Sequence, residues 1–100
     1  MRISENERIA IINEARIHFG QGTKVILFGS RSDDQAKGGD IDLLVIPSNS
    51  DLDFIYKNKI NFLVHLKNAI DDQKIDVIIK QPGDNRRIIA TALEEGIALC

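Results

Sequence analysis

Asp40 and Asp42 stand two apart at the head of an apolar run, Asp40-Ile-Asp-Leu-Leu-Val-Ile46. On a strand, that spacing puts both carboxylates on one face, roughly 7 Å apart along the chain. Carboxylates that close repel each other unless cations lie between them. A third carboxylate, Asp76, is set in a second, β-branched run, Lys74-Ile-Asp-Val-Ile-Ile-Lys80. If its side chain emerges on the same face, three acidic groups converge. Hard oxygen donors in that number suit Mg²⁺ or Mn²⁺ rather than zinc. Two such ions about 4 Å apart form the clamp used for in-line phosphoryl and nucleotidyl transfer. Upstream, another apolar run ends in Phe28-Gly29-Ser30-Arg31. A glycine there lets the backbone approach a ligand closely. Successive N–H groups of the following turn and the Ser30 hydroxyl suit phosphate oxygens, and Arg31 suits a terminal phosphate. The Gly-x-x-x-x-Gly-Lys-Ser/Thr pattern of a P-loop is absent.

Gly29-Ser30, nine intervening residues, then Asp40-Ile41-Asp42-Leu43, with Phe28 in the leading apolar position, resembles the signature of the DNA polymerase beta-like nucleotidyltransferases. The third catalytic carboxylate of that family maps onto Asp76. The chain length is similar to that of the minimal branch, the MntA-like antitoxins paired with HEPN-domain partners. The resemblance implies attack of an acceptor hydroxyl on the α-phosphate of a nucleoside triphosphate, with pyrophosphate leaving. It implies Mg²⁺ (two ions, with Mn²⁺ as a substitute) on Asp40, Asp42 and Asp76, and the nucleotide phosphates on Gly29, Ser30 and Arg31. By the same likeness, AMP from ATP would pass to a tyrosine of a HEPN toxin and silence it. The alternative is an inactive antitoxin that neutralises the HEPN partner by covering it. Gly39 stands where many members carry serine, which removes a hydroxyl able to orient the metal site or hold the loop.

These residues need elements to position them. Ser4–Phe19, Asp51–Asp71 and Asp84–Leu99 read as helices; Lys24–Phe28, Asp40–Ile46 and Lys74–Lys80 read as strands. Ser4 and Glu7 have capping-box spacing, and Ile9, Ile12, Arg16 and Phe19 recur at helical intervals beside Ile11 and Ala15. Asp51 suits the second N-cap, ahead of Ile55, Phe62, Leu63, Leu66 and Ile70. Gln81-Pro-Gly-Asp84 reads as a turn that caps the last helix. A helical crossover between the second and third strands makes them parallel neighbours. The expected fold is a small α/β (α+β) domain over residues 1–100, with a mixed sheet of three strands. Its helices would back one face and the acidic cluster would occupy the other. The stretch between the first two strands, dense in Gly, Ser and Asp, reads as an exposed, mobile loop.

Bland readings compete at single positions. Asp76 could pair with Lys74 or Lys80. Asp33 and Asp34 read as solvating the loop. His18 and His65 sit on separate helices without metal-ligand spacing and read as surface or packing residues. Lys57, Lys59 and Lys67 read as a solvated helix face, and Tyr56 as core or interface. Arg86 and Arg87 open the last helix, where the dipole disfavours cations, which points to a surface pair or to a phosphate or partner.

Composition sets the outer bounds. The chain has 100 residues, 43% hydrophobic and 28% charged, and a formal charge of −2. It is too apolar for a disordered chain and has no global basic field for nucleic acid or anionic lipid. Its single cysteine excludes an internal disulfide and a Cys-based zinc site. A charged N-terminus and the lack of a long apolar run leave the cytoplasm as the expected location. By the resemblance, larger members of the family carry an extra domain for the acceptor, so here a partner protein or an oligomer is expected to complete the site.

Overall fold

Ser4 starts the first helix as its spacing with Glu7 requires. In the computed structural model, which describes residues 1–33, 39–48, 51–71 and 73–100, helix α1 spans Glu5–Phe19. The Glu7 N–H donates to Ser4 Oγ at 3.0 Å, and the Ser4 N–H donates to Glu7 Oε1 at 2.7 Å. Together they satisfy two backbone donors that a helix start would otherwise leave open. Ser4→Ala removes one bond and unseats the other. The expected result is a loss of about 1 kcal/mol, read as a melting temperature lower by roughly 4–8 °C. The buried line of α1 is Ile11, Ile12, Ala15, His18 and Phe19, while Ile9 and Arg16 face solvent. The apolar face is therefore turned from the one centred on Ile9 and Arg16, because α2 covers the His18 flank.

Strand β1 (Lys24–Phe28) pairs antiparallel with β2 (Ile41–Ile46). Helix α2 (Leu52–Ile70) follows, capped by Asp51, whose side chain accepts from the Asp53 and Phe54 N–H groups. It leads into β3 (Ile75–Ile79), which runs parallel to β2. Such a pair needs a long crossover, and α2 supplies it. Helix α3 spans Arg87–Glu95, and β4 (Ile97–Ala98) returns to pair antiparallel with β1. The sheet among the described residues is mixed, in the order β3-β2-β1-β4.

Two expectations are corrected here. The segment Asp84–Leu99 is not one helix: α3 is confined to Arg87–Glu95, and a fourth strand follows Gly96. A two-residue strand carries no periodicity of its own. It forms because Gly96 lets the chain press against β1, where a Cβ would run into Ile26 and the Ala92 carbonyl. Nor do all the helices back one face. Val25, Leu27, Ile41, Leu43, Val45, Ile75, Val77 and Ile79 pack with the α1 and α2 core. Phe28 and Leu44 pack with Ile89 and Ala92 of α3 on the opposite face. Alternation along β2 and β3 puts Asp42 and Asp76 on that α3 face. The mobile-loop reading falls mostly on residues 34–38, Asp34 among them, which lie outside the described residues. Among those described, no helix is long and apolar enough to cross a membrane.

The turn before α3 is built on Asp84. Its carboxylate accepts from the backbone N–H groups of Gln81 and Arg86 and from the Arg86 guanidinium, the shortest bond being 2.7 Å to Nη2. Arg86 itself is the N-cap and makes no side-chain cap bond; its Nη2 also donates to the Ile79 carbonyl at 3.0 Å. Arg86 thus has its partners within the turn, and Asp84 braces the helix entry without being its cap. Arg86 first, with burial opposing and the backbone N–H groups helping, holds Asp84 far below the usual aspartate range. A depressed folded pKa stabilises above the unfolded value, and that stabilisation is lost as pH falls. Asp84→Asn is accordingly expected to melt below the parent at pH 7. The gap should narrow below about pH 4, where the unfolded aspartate protonates, as checked by thermal melts at pH 7 and pH 3.

Candidate active site

The sheet register brings the acidic residues together. Asp42 is in register with Phe28 on β1 and with Asp76 on β3, so Asp42 and Asp76 are direct lateral neighbours on one face. Their carboxyl groups lie within hydrogen-bonding reach, and Asp40 adds its charge from just ahead of β2. Burial first, then repulsion from Asp76 and Asp40, pushes the Asp42 carboxyl above the ordinary aspartate value, with Lys74 opposing. Lys74 Nζ is 3.3 Å from Asp40 Oδ2, so this lysine pairs with Asp40 rather than Asp76. The pair is open to water on both sides, and an exposed pair of this kind is weak and easily displaced. Three carboxylates with one loosely held counter-charge form a hard, anionic donor set, and that chemistry fits Mg²⁺ or Mn²⁺.

The chain leaves β1 through a single 3₁₀ turn, Gly29–Ser32. Gly29 has φ +71, and a Cβ there would intrude on the Asp42 carboxylate, whose Cγ would be only 3.2 Å away. Gly39, at φ +90, presses equally hard on Ser30: a Cβ would lie 2.8 Å from the Ser30 Cβ and would overlap its hydroxyl. The lack of a serine at position 39 therefore has a local reason. The Ser30 side chain occupies the space that a side chain at 39 would need.

Arg31 donates from Nε to the Gly39 carbonyl at 3.2 Å, from Nη1 to the Arg2 carbonyl at 3.1 Å and from Nη2 to Gln73 Oε1 at 3.2 Å. Gln73 in turn donates to Glu7 Oε2 at 2.6 Å. A continuous chain of bonds thus runs from the α1 capping box through the approach to β3 to the loop carrying Gly39 and Asp40. Arg2 closes the same turn from the other side, donating to the Ser30 and Asp33 carbonyls at 3.0 Å each. Nothing in the sequence pointed to Arg2 or Gln73, because their partners are about 30 to 66 residues away.

Beside Asp42 and Asp76 lies an open concavity of about 550 Å³. Phe28, Ile78 and Ile88 line it with apolar surface, and Lys59 of α2 borders it. Along the sequence Lys59 reads as part of a solvated helix face; the crossover of α2 carries it to the site. Tyr56 is half-exposed and its hydroxyl accepts from Gln81 Nε2 at 2.5 Å, so it is a surface residue tied to the β3–α3 turn.

The family profile described as nucleotidyltransferase domain matches residues 9–99, nearly the whole chain, a span within which Asp40, Asp42 and Asp76 all lie. The chain belongs to this family. None of the curated proteins compared with it matches. As a minimal nucleotidyltransferase of the DNA polymerase beta-like superfamily, it has the expected mixed sheet, with four strands among the described residues rather than three. A nucleotidyltransferase domain acts on a nucleoside triphosphate and transfers its nucleotidyl group. Enzymes of this kind use divalent metal ions, to which the donor set just described is suited.

Proposed function

We propose that this nucleotidyltransferase transfers AMP from ATP to a tyrosine hydroxyl on a HEPN-domain partner, and that it thereby acts as an antitoxin. The observation that carries the reading is the in-register pair of Asp42 and Asp76, with Asp40 adjacent, next to the Gly29–Ser30 turn. Asp40 and Asp42 would hold two Mg²⁺ ions, and Asp76 would share the one nearer the acceptor. Bound there, the metal supplies charge neutralisation for the triphosphate and for the charge that develops in transfer.

The remaining work falls to the chain's own groups. N–H groups of the Gly29–Ser32 turn and the Ser30 hydroxyl bind the β- and γ-phosphates. Arg31 and Arg2 hold that turn against the Gly39 loop, so the phosphates meet a pre-set cradle, and Arg31 lends positive charge to the terminal phosphate. The acceptor oxygen attacks the α-phosphorus, the bond to the pyrophosphate oxygen breaks, and pyrophosphate departs with that electron pair. Asp76, exposed on the edge strand, takes the acceptor's proton. The apolar wall of Phe28, Ile78 and Ile88 beside Asp76 suits an aromatic acceptor better than a sugar hydroxyl and supports the choice of tyrosine. The carboxylates open to solvent on that side, where a partner's side chain has room to enter.

The test is incubation of the chain with Mg²⁺, ATP labelled at the α-phosphate, and the partner. The expected result is label on a partner tyrosine and loss of the partner's ribonuclease activity. Neutralisation of the partner without label would replace transfer by simple binding. Label on an added RNA end, with none on the protein, would overturn the tyrosine assignment.

A further inference from the structure

Across the sheet from the aspartates, α1 and α2 bring together both histidines of the chain and one glutamate. Glu14 and His18 are four apart on α1, hence on one helix face. His65 approaches them from α2. His18 Nε2 is 3.1 Å and His65 Nδ1 is 3.9 Å from Glu14 Oε2. One ligand atom from each residue lies within 4.8 Å of the other two. Ligand atoms on a tetrahedral ion with bonds of about 2.1 Å stand about 3.4 Å apart. The two measured contacts bracket that value, and the exposed His65 is the side chain free to close the difference.

We propose that Glu14, His18 and His65 form a zinc-class metal site that ties α1 to α2. Two imidazoles and one carboxylate are a donor set for Zn²⁺ and its late first-row neighbours, whereas Mg²⁺ prefers all-oxygen surroundings. Packing holds His18 in place. The His18 side chain is only 9% exposed, and its ring meets Phe62 edge-on at 6.4 Å and His65 at 5.0 Å with an interplanar angle of 90°. Glu14 is 19% exposed, so two of the three ligands are largely withdrawn from competing water. His65 is 58% exposed, which provides an entry path and leaves a fourth position for water. Three protein ligands from two helices act as a cross-link: an ion bound only by the folded chain stabilises it by mass action. The sequence concealed the site because its third ligand is 47 residues beyond the second, and only helix packing joins them. The assignment is independent of nucleotidyl transfer, since it uses neither the aspartates nor their face of the sheet.

The test uses the untagged full chain and Zn²⁺ alone. The chain has two histidines, so its imidazole NMR signals report this site and no other. One equivalent of Zn²⁺ is expected to shift both rings together. Calorimetry should give one ion per chain, with affinity at least 100-fold weaker in His65→Ala. Excess Zn²⁺ should raise the melting temperature by about 4 °C or more, and should do so in Asp42→Asn as well, where Mg²⁺ gives no rise. The zinc signal should persist in Asp42→Asn, which separates it from the acidic cluster. His18 is buried and its loss can unfold the chain, so the exposed His65 is the decisive variant. Imidazole signals unmoved by zinc, or unchanged affinity in His65→Ala, would overturn the site. The contact would then be a hydrogen bond between Glu14 and His18 with His65 nearby.

Discussion

Asp42→Asn is expected to cut nucleotidyl transfer by at least ~10³-fold, about 4 kcal/mol of barrier, while making the metal-free protein more heat-stable. Both effects have one source. Asp42 is partly buried between Phe28 and Asp76, with Asp40 close by, and its carboxyl is pushed above the ordinary aspartate value. A carboxyl whose folded pKa is raised favours the fold when protonated. As pH rises past the unfolded value of about 3.9 the fold loses ground, and the loss is complete above the folded pKa. At pH 7 the metal-free chain therefore carries a repulsion that asparagine removes. The amide has the same size and can donate to Asp76, so the strand pairing survives. In EDTA at pH 7 the variant should melt above the parent, with the gap closing below about pH 4. Mg²⁺ should raise the melting temperature of the parent alone. A variant that melts lower in EDTA at pH 7, or that still transfers label at the parental rate, contradicts the geometry of the cluster.

Gly29→Ala is the second large effect, and Gly83→Ala is its control. Both glycines have φ +71. An alanine in the left-handed region costs about 1–2 kcal/mol, so each variant is expected to melt several degrees lower. Their surroundings differ. At Gly83 a Cβ meets nothing within 4 Å, whereas at Gly29 it intrudes on the Asp42 carboxylate. Gly29→Ala must therefore push that carboxylate aside or shift the turn that carries Ser30. Misplacement on the order of 1 Å at a reacting centre costs about 10²-fold. The expected pattern is comparable destabilisation in both, with activity lost only in Gly29→Ala. Equal activity in the two variants would show that the close approach of Gly29 to Asp42 has no part in the reaction.

These two glycines illustrate how much of the site could be read along the chain. The Gly-Ser pair and the Asp-x-Asp pair lie within fourteen residues of each other, and with Asp76 they carry the resemblance to the nucleotidyltransferases that implies the chemistry. The element types were legible for a related reason: the Ser4–Glu7 box, the Asp51 cap and the β-branched run at 75–79 are local patterns whose physics acts over a few residues. The end of the chain is not legible in this way, because β4 is two residues long and exists only by pairing with β1.

What the sequence by itself determined is the inventory: three aspartates, a glycine-serine bend and the periodic segments that could bear them. Tertiary structure decided their relations. The parallel register of β2 and β3 set Asp76 beside Asp42, and a slip of one residue would have turned it toward α1 and α2. Packing placed α3 on the acidic face, linked Arg2, Arg31 and Gln73 around the Gly29–Ser32 turn, and brought His65 to Glu14 and His18. The physical reason is range. Helix and strand periods follow from backbone geometry a few residues long, whereas register, facing and convergence follow from which apolar surfaces bury one another, and that is settled between segments far apart in the chain.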